Sequence, residues 1–133
     1  MFPRGKTPRA GAACSLRVCV VALVLAALVY GVFRPVSGFM FLDWDDDHYV
    51  TKNQRVQAGL TVEGTFWALT SLHASNWHPL TWLSHMLDTE LYGLHPAGHH
   101  RTSLLLHSGT VIFLFLVLRR YTGNTWRSFV VAG

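Results

Sequence analysis

The sequence is short of charge: 14% of its 133 residues are Asp, Glu, Lys or Arg, against about a quarter in an average soluble domain. It holds two cysteines, Cys14 and Cys19, both near the N-terminus, which excludes a disulfide framework for everything that follows them. No internal repeat and no low-complexity segment occurs, and the initial MFPRGKTPRAGAA reads as a flexible basic tail. No acid precedes Asp43 or follows Glu90, and between Pro35 and Gly98 the only Lys or Arg residues are Lys52 and Arg55.

What fills the space is apolar, since 50% of the residues are hydrophobic. A bilayer core needs about 20 consecutive apolar residues in helical form. One such run is Val18 to Phe33, bracketed by Arg17 and Arg34, whose stems can snorkel to the two interfaces. A second is Thr102 to Leu118, closed by Arg119 and Arg120 and interrupted by His107. A third opens at Ser128 and stops at Gly133. Helix carbonyls ending inside lipid would be unsatisfied, so we expect these residues to belong to a longer polypeptide. A cleaved signal peptide is the alternative reading of the first run, although no clear A-x-A site follows it and it exceeds the usual apolar core of a leader.

The formal charge of +4 would suit a nucleic-acid ligand if it were clustered on one surface. It is instead segregated: Arg4, Lys6, Arg9 and Arg17 precede the first run, Arg119, Arg120 and Arg127 follow the second, and all seven acids lie between. This is the positive-inside pattern, and it sets nucleic acid aside as a partner. The expected fold is all-α and integral to a membrane, either the bacterial inner membrane or the endoplasmic reticulum. It comprises a cytoplasmic basic tail (1–17), a first transmembrane helix (18–34), an extracytoplasmic loop (35–98), a second transmembrane helix (99–120) and a cytoplasmic turn with the start of a third span (121–133). Cys14 and Cys19, at the cytoplasmic start, read as inert helix residues.

A loop of that length carries secondary structure of its own. Thr61 reads as the N-cap of a helix through VEGTFWALTSL, with Phe66 and Trp67 at headgroup level. Pro79 reads as the first turn of a second helix that presents Leu80, Leu83, Leu87 and Leu91 on one face, with Asp88 and Glu90 off it, and ends at Gly93. Both are short, amphipathic and interfacial. Pro96 restarts a helix that runs without a break into the second span, with Gly123 as its C-cap.

Chemistry concentrates in two places. In Asp43-Trp44-Asp45-Asp46-Asp47-His48-Tyr49, four carboxylates occupy five positions, and like-charge repulsion raises the pKa of some of them, as a general base requires. A solvated acidic turn, or a divalent-cation site with His48, is the other reading. In Asn76-Trp77-His78-Pro79-Leu80, His78 precedes a helix N-terminus, where anions such as phosphate are favoured; a simple N-cap between two belt tryptophans is the other reading. The eight histidines give no recognised metal spacing, so no metal ligand is assigned. His99, His100 and Arg101 read as a cationic cluster at headgroup depth, or as interface anchors. His107, inside the second span, reads as a neutral group bonded to another helix.

This order of parts resembles the N-terminus of the GT-C type polytopic glycosyltransferases, which include the protein O-mannosyltransferases. Trp44-Asp45-Asp46-Asp47-His48-Tyr49 is similar to that family's aromatic-Asp-Glu-x-His-aromatic motif, with Asp46 in place of Glu, and His78-Pro79-Leu80 to its His-Pro-Pro-Leu element, with one proline missing. WDDDHYVTKNQRVQAGLT together with NWHPLTWLSHMLDTELYGLHPAGHH resembles the membrane proteins in which tetratricopeptide repeats follow a GT-C region. The likeness covers about Phe39 to Gly123. It implies sugar transfer from a polyprenyl-phosphate donor to a hydroxyl of a protein or glycan acceptor outside the cytoplasm. Asp45 would be the catalytic base, tuned by Asp46, with His78, Arg101 and His99 on the donor phosphate. A divalent metal is compatible with the resemblance and not required by it. The implied partners are membrane lipid, the lipid-linked donor, the acceptor and further transmembrane helices. A non-catalytic membrane-anchored interaction module, or an inactive fragment, is the competing reading. A transporter segment fits less well, because the acids lie outside the spans.

Overall fold

The computed structural model describes the backbone of residues 10–133 and side chains from Leu16 onward. The basic positions Arg4, Lys6 and Arg9, and the Cys14 side chain, lie outside the described residues. Among the described residues the secondary structure is helix and turn, with no strand. Two compact units form: residues 33–105, and the segments up to 32 and from 106 to 133.

In the second of these units, α1 spans Ala10–Phe33. It starts well before the expected residue 18, because Ala10-Gly11-Ala12-Ala13 holds good helix formers and no proline follows Pro8 until Pro35. Pro35 then forces the end, and Arg34–Gly38 tighten into a 3₁₀ turn. The long α5, Pro96–Thr122, is unbroken, as expected from the sequence. Gly123 follows it at φ 66°, a left-handed conformation that closes a helix cheaply only when no Cβ is present. A last helix, α6, covers Thr125–Ala132 and is capped by Asn124, whose side chain accepts the Arg127 N–H at 3.0 Å.

Two helical stretches, Leu16–Gly38 and Pro96–Thr122, are long and apolar enough to cross a membrane. Only 11% and 17% of their most apolar windows are buried, so neither is enclosed as a core helix by the described residues. Leu23, Val32 and Phe113 are each more than two-thirds exposed, and so much contiguous apolar surface is costly in water.

The unit of residues 33–105 contains three further helices, α2 (Gln54–Gln57), α3 (Val62–Thr70) and α4 (Pro79–Tyr92), followed by the first turns of α5. Thr61 caps α3 as expected, its hydroxyl accepting the Gly64 N–H at 2.9 Å. The helix stops at Thr70, short of the expected Leu72, because the Ser71 hydroxyl accepts the His73 N–H at 3.0 Å and draws the chain into a turn. The sequence reading missed α2, whose start is set by the Asn53 side chain accepting from both Arg55 and Val56 N–H.

α4 packs against α2 and α3, and the core is Val56, Ala68, Trp82 and Met86, with Tyr49, Trp67 and Leu83 against it. Of the expected leucine stripe, Leu80, Leu87 and Leu91 are exposed and Leu83 packs against this core, to which α4 contributes Trp82 and Met86, one turn apart. Asp88, expected on a polar face, is instead 3% exposed, because it shares the inward side of α4 and finds partners on α5.

Candidate functional site

The acidic motif folds as a turn followed by a single turn of π-helix, Asp47–Thr51, and its four carboxylates separate in role. Asp46 Oδ2 accepts the Leu42 N–H at 2.8 Å and so closes the turn on itself. Asp47 Oδ2 accepts from Lys52 Nζ at 2.9 Å, and Asp43 Oδ1 lies 3.8 Å from the same ammonium. The Lys52 hydrogen bond is the chief reason that the Asp47 carboxyl titrates below its ordinary 3.8, with the His48 N–H acting in the same direction against some desolvation. For Asp47 this reverses the sign expected from like-charge crowding, since a cation one turn away outweighs the neighbouring carboxylates. Asp45 alone keeps its carboxylate uncommitted and exposed.

That carboxylate lines an open cleft of about 410 Å³, together with His48, Tyr49, His73, Ala74 and Asn76. The far wall is a tight turn, His73–Ser75, in which Ala74 and Ser75 both adopt positive φ, 54° and 60°. Non-glycine residues in this region cost of order 1 kcal/mol each and persist only where surroundings hold them. Here the holding contacts are the Asn76 Nδ2 donating to the Ala74 carbonyl at 3.0 Å and the Trp77 Nε1–H donating to the Leu69 carbonyl at 2.9 Å.

The turn delivers the chain to His78 and α4. His78 occupies the N-cap position without capping through its side chain, and its Nε2 is buried with no hydrogen bond. It does not line the cleft. Tyr49, which does, stands against it at 5.4 Å between rings and stacks on Trp82 at 4.9 Å. The two sequence motifs, some thirty positions apart, therefore meet through Tyr49.

His99 and Arg101 are placed differently from the expected phosphate cluster. Arg101 is exposed at the start of α5. His99 is 3% exposed and turned inward, its Nε2 at 2.9 Å from the Gly93 carbonyl and its Nδ1 at 3.9 Å from Asp88 Oδ2. Asp88 Oδ1 accepts the Thr102 hydroxyl at 2.6 Å. His85, one turn before Asp88, completes a group whose three ligand-capable atoms lie within 4.8 Å of one another. Burial holds the His85 imidazole below its ordinary 6.5, with the charge of Asp88 opposing. Phe41 packs edge-on against His99 at 5.3 Å, so the strand of chain leading into the acidic motif covers this group. Sequence reasoning missed the cluster because two ligand candidates come from one helix and the third from another; the available signal was His85-x-x-Asp88, a spacing that puts both on one helical face.

No protein family, curated protein or solved structure matches this chain.

Proposed function

We propose that this chain is the N-terminal part of a membrane glycosyltransferase of the GT-C type, with α1 and α5 spanning the bilayer and residues 35–98 outside the cytoplasm. The observation that carries the reading is Asp45. Of four crowded carboxylates it is the one left free, at the wall of a cleft formed jointly by the acidic motif and the turn leading to His78. Segregation of Lys and Arg to the outer sides of the two spans supports the orientation.

In this reading the donor is a polyprenyl-phosphate-linked sugar and the acceptor a hydroxyl on a protein or glycan. The acceptor oxygen bonds to the sugar's anomeric carbon from the face opposite the leaving group. Its proton passes to the Asp45 carboxylate as the bond from that carbon to the phosphate oxygen breaks. The departing polyprenyl phosphate gains the electron pair, and Arg101, exposed in the first turns of α5, is the residue placed to meet its charge, while His78, its Nε2 buried, supports the cleft from behind Tyr49. Asp46 holds the turn that presents Asp45 and need not touch substrate.

The test is transfer of radiolabelled hexose from polyprenyl phosphate to acceptor in membranes containing the intact protein. Asp45→Asn should abolish transfer at unchanged expression; near-normal transfer by that variant overturns the assignment of the base. Transfer lacking in the unaltered protein with every polyprenyl-linked hexose overturns the activity itself.

A further inference from the structure

The geometry points to a Zn²⁺ site formed by His85 Nδ1, Asp88 Oδ2 and His99 Nδ1, joining α4 to the start of α5. It is independent of the transferase reading, and none of its ligands takes part in the proposed base chemistry.

Three observations carry it. First, the Nδ1 atoms of His85 and His99 are both buried and neither makes a hydrogen bond. A buried polar atom left unpartnered costs about 1–3 kcal/mol, and here two sit in one small group beside a carboxylate. Second, the tautomer of His99 is fixed. Its Nε2 faces the Gly93 carbonyl at 2.9 Å, and a carbonyl only accepts, so Nε2 carries a proton and Nδ1, on the side of Asp88, is the nitrogen left to bind an ion. Third, the carboxylate is itself oriented, with the Thr102 hydroxyl on Oδ1 leaving Oδ2 for another partner. A metal-bound histidine that gives its other N–H to a backbone carbonyl, beside a ligating carboxylate held by a hydroxyl, is the outer-shell arrangement of metal centres.

The Asp88–His99 pair is within ion-pair range without being hydrogen-bonded. His99 Nδ1 and Asp88 Oδ2 are 3.9 Å apart, beyond hydrogen-bond reach, although both side chains are only 4% exposed. Ligands on a tetrahedral ion with bonds of 2.0–2.1 Å are separated by about 3.3 Å; this pair reaches that spacing by closing about 0.6 Å, and the group, whose atoms lie within 4.8 Å of one another, by closing at most about 1.5 Å. Two imidazoles and one carboxylate suit Zn²⁺, with three protein ligands and one position for water. Such an ion would fix the angle at which the exposed stretch Gly93–His95 turns α4 into α5.

The experiment is metal analysis of the intact protein in lipid nanodiscs after equilibration with zinc and removal of excess, with Co²⁺ substitution to read the ligand field. We expect about one bound zinc per chain and a tetrahedral Co²⁺ spectrum. Asp88→Asn, which keeps an acceptor for Thr102, and His99→Gln should each lose the ion while circular dichroism stays that of the parent. Thr102→Val should weaken zinc about 10–100-fold, with Thr102→Ser restoring it, since a positioning residue acts through the carboxylate. His95→Gln, altering an exposed neighbour, should bind as the parent does. The site is overturned if the parent retains no zinc, if zinc survives both Asp88→Asn and His99→Gln, or if His95→Gln removes it.

Discussion

The ring of Tyr49 lies on that of Trp82, centroids 4.9 Å apart and planes 21° from parallel, and this stack joins the acidic motif to α4. Trp82 has no exposed surface and also meets Trp67 at 5.1 Å and His73 at 5.5 Å, so one indole contacts two of the residues that line the cleft, Tyr49 and His73. Tyr49→Phe preserves the stack and should leave thermal stability in nanodiscs nearly unchanged. Tyr49→Ala should lower it, by about 0.5–1.5 kcal/mol for the lost ring pair and more for the lost burial. Equal effects of the two substitutions would show that the hydroxyl, and not the stack, supplies the link.

Asn53 is the second anchor of the motif. Its side-chain oxygen caps α2 through Arg55 and Val56, and its Nδ2 reaches the His48 carbonyl at 3.4 Å. Asn53→Ala should cost about 1 kcal/mol through the lost cap, read as faster amide exchange at Arg55 and Val56, while Asn53→Asp should retain most of it. Unchanged exchange in the alanine variant would refute the cap.

Gly98 is required by packing. A Cβ built there falls on the ring of Tyr92, at the junction of α4 and α5. Gly98→Ala should therefore destabilise by about 1–3 kcal/mol, although alanine favours a helix over glycine. Combining it with Tyr92→Ala should recover most of that loss. Failure of the double variant to recover stability would place the conflict elsewhere.

The Asp47–Lys52 pair sets a pH signature. Asp47 titrates below 3.8 in the folded chain, so its contribution to stability is present above that value and is lost as pH falls through the folded pKa. Lys52 is raised above 10.5 by the same hydrogen bond, and its contribution, present below that value, is lost as pH rises through its folded pKa. Carboxyl NMR of Asp47 should show the midpoint moving up toward 3.8 in Lys52→Met. A midpoint that stays in place would assign the shift to the His48 amide.

Much of this organisation was legible in the residues. Unbroken apolar runs announced α1 and α5, and local signals marked the ends of several helices: Thr61, Pro79, Gly123. What was not legible depended on pairings distant in sequence. Hydrophobic periodicity gave α4 a leucine face, yet ring contacts with Tyr49, Trp67 and His73 hold Trp82 inward, and of the leucines only Leu83 reaches this core. The same orientation of α4 buries Asp88, and nothing local reveals that Thr102, fourteen residues on, meets it. Among the acids, the count was visible and the division of labour was not, because it depends on Lys52 and the Leu42 amide, each several residues from the carboxylate it serves.

The paired left-handed residues Ala74 and Ser75 give the cleft an unusual kind of stiffness. Most loops hold their shape by being packed; this one is bent to a stop, with Asn76 and Trp77 latched on either side of the bend. Glycine at position 74 would remove the steric penalty and also widen the range of shapes open to that wall. A more tolerant chain would thus build a less definite cleft, and the small alanine methyl narrows the shapes that this wall can take.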